Sequence, residues 1–144
     1  MSSIFSRIIA GEIPGQFVWA DDVCVVMATI EPVRAGHVLV VPRAEVAKFN
    51  DVEPGDFAHM MQVAQIVANA QEQAFDVPRA VVAILGFEVP HTHVHVIPAD
   101  SEAAAHFASA QPAPAEEIAS AMDKLRNALI AAGYEAEVNA ANRS

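Results

Sequence analysis

Apolar positions recur along this chain in more than one period, and each period predicts its own element. Ile4–Ile9 is an apolar stretch stopped at Gly11, as a short helix would be. Glu12-Ile13-Pro14-Gly15 predicts a turn or extended corner. Phe17–Ala20 and Val23–Thr29 are β-rich runs separated by Asp21-Asp22, the pattern of a hairpin. Pro32 to Gly36 predicts a loop, and His37–Val41 a strand closed by Pro42. From Asp51 to Phe75 the period changes to that of a helix, with Phe57, Met60, Met61, Ala64, Val67, Ala68, Gln71, Ala74 and Phe75 near one face. Asp51 is the expected N-cap, Pro54 suits the first turn, and Pro78 breaks the pattern. Ala80–Leu85 is an almost unbroken apolar run, as expected of a strand covered on both faces, and Gly86 interrupts it.

The remaining third follows the same logic. His91–Ile97 alternates strictly, which predicts a strand with two unlike faces. Ser101 to Pro114 is Ala-rich, carries Pro112 and Pro114, and reads as a loop or loosely packed extension. Ile118, Met122, Leu125 and Leu129 form the stripe of a helix from about Ala115 to Ala132. Glu116 and Glu117 favour its first turn and Gly133 its end. The last ten residues are expected to fray. The sum is an α+β chain with a largely antiparallel sheet of about five strands.

Composition narrows the class. The 144 residues suffice for one domain, and 53% hydrophobic against 18% charged excludes intrinsic disorder. No apolar run reaches the ~18 residues needed to cross a bilayer, and Arg7 and Gly11-Glu12 spoil the N-terminus as a signal peptide. A single cysteine, Cys24, excludes an internal disulfide and a cysteine-only metal site. A soluble cytoplasmic protein is the expectation. Eight Lys and Arg against eighteen Asp and Glu give a net charge of −10, which argues against a nucleic-acid polymer as partner. The acidity reads as solubility, and it leaves room for a small nucleotide in one pocket.

Three of the six histidines are packed into His91-Thr92-His93-Val94-His95. On a strand they share one face, at roughly 7 Å spacing, while Thr92, Val94 and Val96 turn to the core. Such a row is able to ligate a metal, to supply a nucleophile with acid and base support, or to form a solvated edge. The outer two lie about 13 Å apart at the backbone, so one ion does not easily take all three. His59, on the long helix among core residues, and His106, in the loose segment, read as structural.

His91-Thr92-His93-Val94-His95-Val96-Ile97 resembles the signature of the histidine triad family, His-φ-His-φ-His-φ-φ. The segment from Ile4 to Pro14, Asp21-Asp22, Pro32, Gly36 to Pro42, Gly86 and Val89-Pro90-His91 are similar to that family in the same order, over residues 4 to 98. The family comprises nucleotide hydrolases and nucleotidyl transferases. The resemblance implies a five-stranded antiparallel sheet with two helices, and a homodimer joining two sheets through the long helix and the Ala80–Leu85 strand. It implies a domain over residues 1–110, with 111–144 packed on it. It further implies attack by His93 on an α-phosphorus of a nucleoside phosphoramidate or dinucleotide, through a nucleotidyl-histidine intermediate, with His91, His95 and His37 in support. The positions implied to hold the nucleotide are Ile4, Phe5, Ile8, Ile13, Thr29, Ile30 and Leu39, with the backbone N–H of Val89 on a phosphate.

Several positions depart from the family pattern. Thr29 stands where a ribose-binding acid is usual, Phe87 where Gln is usual, and Glu88 where Ser or Thr is frequent. Val81-Val82-Ala83-Ile84-Leu85 offers no side-chain amide, and Ala99-Asp100 follows Ile97-Pro98 in place of a basic residue. The nucleophile machinery matches while the substrate grip does not, which implies an altered substrate. Two further readings stand beside it: a metal site built on the three histidines, and a nucleotide-binding dimer without turnover. The zinc-binding members use two N-terminal cysteines and a further histidine. Ser3, Ser6 and Glu45 occupy those positions, so neither a structural zinc nor any other cofactor is expected.

Overall fold

The structure is a computed structural model in which residues 2–142 are described. Five strands, β1 (Phe17–Ala20), β2 (Cys24–Ala28), β3 (Val38–Pro42), β4 (Arg79–Ala83) and β5 (Val94–Ala99), form one sheet in the order β1-β2-β3-β5-β4. Every neighbouring pair is antiparallel. The helices are α1 (Ile4–Ile9), α2 (Pro54–Phe75), α3 (Ala115–Ala131) and α4 (Glu135–Ala141). No described helix is long and apolar enough to cross a membrane.

The two sheet faces follow from strand alternation. Val38 and Val40 of β3, with Val94 and Val96 of β5, turn to one face, where Met60, Val63, Ala64 and Val67 of α2 and Met122, Leu125 and Leu129 of α3 pack on them. Leu39 and Val41, with Val25 and Met27 of β2, turn to the other, where they meet Phe5 of α1 and Ala141 of α4. All five residues of the central β3 are buried. Gln71 is also fully buried, and its amide donates to the carbonyls of Gly36 (3.0 Å) and Val96 (2.9 Å). That pair of bonds ties α2 to the loop ahead of β3 and to β5. Gly36 turns there at φ +90°, hard against the Phe75 ring, so a side chain would meet both backbone strain and a clash.

The structure corrects four expectations. Strand β4 is an outer strand rather than one covered on both faces, and it ends at Ala83: Val82 within it is 45% exposed and Leu85 just past it 49%. An apolar run reports the wish for cover, not whether the same chain provides it. The N-cap of α2 is Glu53, whose carboxylate accepts from the N–H groups of Gly55 and Asp56, both at 2.9 Å. Asp51 lies one turn earlier, in a 3₁₀ turn. The chain end does not fray as far as it is described: α4 buries Val138 and Ala141, two positions three apart on one helical face, in the two cores. Arg143 and Ser144, within the segment expected to fray, lie outside the described residues. Finally, the strand containing the triad begins only at Val94. His91 and Thr92 precede it, and Thr92 is buried by a hydrogen bond from Oγ1 to the Val46 carbonyl (2.8 Å), not by joining the apolar core.

Candidate active site

The approach to β5 holds the histidines in unlike settings. His91 is fully buried, with Nε2 2.7 Å from the Pro42 carbonyl. A carbonyl only accepts, so Nε2 carries the proton and Nδ1 accepts, here from Ser3 Oγ at 2.6 Å. Ser3 is also the N-cap of α1, accepting from the Ser6 N–H at 3.0 Å. Glu45 closes the cluster by accepting from the Ser3 N–H and from Ser6 Oγ. Those hydrogen bonds hold the Glu45 carboxyl below its ordinary range. The start of α1 is thereby fastened to His91.

The same reasoning fixes the other rings. His93 Nδ1 lies 2.8 Å from the His91 carbonyl, so Nδ1 is the protonated nitrogen. Nε2 is left with its lone pair and no hydrogen-bond partner among the described residues. The Phe5 ring stands edge-on to His93 at 4.8 Å and limits its rotation. His37 Nδ1 accepts from the Val33 N–H (3.1 Å), so Nε2–H points at His95 Nδ1, 2.9 Å away. His95 Nδ1 is thus an acceptor, and its remaining Nε2 is a donor. Burial lowers the basicity of all three rings: His37 to about 3 and His95 to about 4, each helped by a neighbouring histidine, and His93 below its usual value. At neutral pH the three rings are uncharged.

A cavity of about 400 Å³ opens onto these rings. His37, His93, His95 and Thr29 line it, together with Glu31, Phe107, Ala110 and the segment Leu85–Glu88. No Lys or Arg does so among the described residues. Of the positions expected to hold a nucleotide, Ile8 and Ile30 line a second hollow of about 270 Å³ with Met27 and Ile118, and it shares no lining residue with the first. Phe5 packs edge-on against His91 and His93, and Leu39 stands beside His95, its partner across β3 and β5. The Val89 carbonyl accepts from the His91 N–H at 2.8 Å, and the Val89 N–H has no partner among the described residues. Ile4 is 47% exposed and lines neither space, and Ile13 faces a separate hollow beside Phe17 and Arg126.

Phe107 escaped the sequence reading. Its ring stands edge-on to His95 at 4.6 Å, from a segment expected to be loose. One large apolar residue among alanines was its only signal. His106 beside it is exposed. His59 is not among core residues: it is partly exposed and its Nε2 lies 2.6 Å from Asp21 Oδ2.

The HIT domain model matches residues 10–102. The chain belongs to the HIT domain family. As a HIT protein it is 32% identical over 101 residues to the purine nucleoside phosphoramidase of Escherichia coli (strain K12), covering 66% of this chain and 85% of that one. It is 29% identical over 100 residues to an adenylylsulfatase of Arabidopsis thaliana, covering 66% of this chain and 51% of that one. Among solved structures, it is similar to a zinc-bound histidine triad family protein from Mycobacterium smegmatis, with a TM-score of 0.80, 26% identity, and 95% and 99% of the two chains covered.

The HIT relatives thus include proteins named as hydrolases of nucleotide bonds. In this chain, Ser3, Ser6, Glu45 and His91 do not fit a structural zinc. Two hydroxyls replace thiolates, and the acceptor nitrogen of His91, Nδ1, and the Oε1 of Glu45 are already engaged by O–H and N–H donors.

Proposed function

We propose that this HIT protein hydrolyses or transfers a nucleotidyl group through a covalent intermediate on His93. The observation that carries the proposal is the tautomer of His93, since Nδ1 on the His91 carbonyl leaves Nε2 unprotonated beside the cavity. In the first step the Nε2 lone pair attacks the α-phosphorus. A P–N bond forms to His93 and the bond to the leaving group breaks. The positive charge gained by the ring is shared through Nδ1–H with the His91 carbonyl. The Nε2–H of His95 donates to a phosphoryl oxygen as charge develops, and the leaving group takes a proton from water at the open mouth. In the second step a water oxygen bonds to phosphorus as one of its protons passes to the hydroxide left at the mouth, the P–Nε2 bond breaks with its electron pair returning to His93, and the nucleoside monophosphate departs. His91 and His37 serve as positioning residues, each fixing the tautomer of a neighbour.

The same surroundings favour a substrate with a single phosphoryl group. Glu31 and Glu88 line the cavity, and among the described residues no Lys or Arg lines it, so a polyphosphate chain would be repelled. A nucleoside phosphoramidate fits better than a dinucleotide polyphosphate. The apolar hollow of Ile8, Met27 and Ile30 would take the base, and Thr29 would offer one hydrogen bond to the ribose. Domain organisation as residues 1–110 with 111–144 packed on them, a cytoplasmic location and a homodimer formed along β4 and α2 belong to this proposal. The exposed Val82, Leu85 and Phe87 on that side support the last.

Turnover of adenosine phosphoramidate and diadenosine tetraphosphate tests the reading. The expected outcome is release of adenosine monophosphate, faster from the phosphoramidate, with loss of at least about a thousandfold in His93→Ala. Equal turnover in wild type and His93→Ala would reject it.

A further inference from the structure

On the far side of the sheet from the histidine cavity, three unlike donor groups converge where the β1–β2 turn meets α2. They are Asp21, Cys24 and His59, whose ligand atoms all lie within 4.8 Å of one another. Cys24 is fully buried among the residues packed under α2, whereas Asp21 and His59 reach solvent, with side chains 19% and 37% exposed. The trio therefore has a closed end and an open end.

The carboxylate is held by its surroundings. Oδ1 accepts from the N–H groups of Val23 (2.8 Å) and Cys24 (2.9 Å), and Oδ2 accepts from Trp19 Nε1 (2.8 Å). Such bonds orient a metal-binding carboxylate in built sites. Around a tetrahedral zinc-type ion, a carboxylate oxygen and a thiolate sulfur sit about 3.6 Å apart, and an oxygen and an imidazole nitrogen about 3.4 Å. Here Asp21 Oδ2 is 3.9 Å from Cys24 Sγ and 2.6 Å from His59 Nε2. Reaching those separations draws the partly exposed His59 ring back from Asp21 by about 0.8 Å and closes the gap between Asp21 and Cys24 by about 0.3 Å.

We propose that Asp21, Cys24 and His59 form a binding site for a divalent transition ion of the zinc class. One sulfur, one nitrogen and one oxygen donor suit such an ion, and not calcium or magnesium, which take oxygen. Solvent supplies the fourth ligand on the open side. Binding releases one proton: the thiol of Cys24 gives its proton to solvent, while the proton of the neutral His59 ring passes from Nε2 to Nδ1, which frees the Nε2 lone pair for the ion. Without an ion, burial and the Asp21 carboxylate keep Cys24 firmly a thiol, with Asp56 adding to the effect and Arg43 opposing it. When bound, the ion pins the β1–β2 turn to the second turn of α2.

Titration of the purified full-length chain with Co²⁺ tests this. The expected result is one equivalent bound with a near-ultraviolet thiolate-to-cobalt absorption band. That band disappears in Cys24→Ser and is unchanged in His93→Ala. In His59→Gln, where the substituted side chain is partly exposed and circular dichroism checks the fold, affinity falls on the order of tenfold or more. Absence of the thiolate band in the wild-type chain overturns the proposal. So does unchanged affinity in His59→Gln, or loss of the band in His93→Ala.

Discussion

At the scale of the residue, the decisive atoms are ring nitrogens, and their protons are assigned by what faces them. Pro42 and His91 offer only carbonyls, and Val33 only an N–H, so His91, His93, His37 and His95 each have one consistent tautomer. None of this was legible in the sequence. The partners of His91 lie 49 and 88 residues away, and the pattern gave only three rings in a row. His93 and His95 share the cavity face that the alternation predicts, whereas His91 is buried between Ser3 and Pro42 away from the cavity, because the chain is not yet a strand there. Burial also fixes a pH response. His37 and His95 stay neutral down to about 3 and about 4, while in the unfolded chain they take up protons near the ordinary value of about 6.5. The unfolded state binds more protons in that window, so their contribution to stability is full above about pH 6.5 and falls as pH drops towards 4 and 3. Urea unfolding at pH 7, 5.5 and 4.5 should show a decline that is reduced in His37→Asn. An undiminished decline in that variant would place the effect elsewhere.

At the scale of the element, periodicity served where an element is covered by its own chain. Helices α2 and α3 and strands β1 to β3 stand close to where the pattern put them. It failed where cover comes from a short or distant piece. The stripe of α4 is only Val138 and Ala141, too brief to separate from a frayed tail, yet both are buried. Val138→Asp would place an unpaired charge in the core and should cost about 3 kcal/mol or more, read as a lower urea midpoint at unchanged slope. A loss under about 0.5 kcal/mol would mean that the tail carries no structure of consequence. The Ser101–Pro114 segment failed for a related reason. Its 3₁₀ turns are set by Ser101 and local carbonyls, and only the folded chain brings Phe107 against His95.

At the scale of the whole molecule, one sheet separates two kinds of surface. The α2 and α3 face is a continuous apolar core, and the opposite face gives up apolar area to carry the histidines and their cavity. The outer β4 strand and the segment that follows it expose Val82, Leu85 and the 97% exposed Phe87. The proposed homodimer would cover them, and a stable interface needs about 1,200–2,000 Å² in total. Sedimentation should give a dimer for the wild-type chain and a monomer for Val82→Lys with Leu85→Lys. A wild-type monomer at tens of micromolar would reject that assembly. The central claim, a nucleotidyl group carried on His93 Nε2, is tested most directly by the intact mass of the protein quenched during turnover of adenosine phosphoramidate. The account predicts a gain equal to one adenylyl group, mapped to the peptide containing His93 and absent from His93→Ala. Turnover without that adduct under rapid quench, or an adduct that persists in His93→Ala, would contradict it.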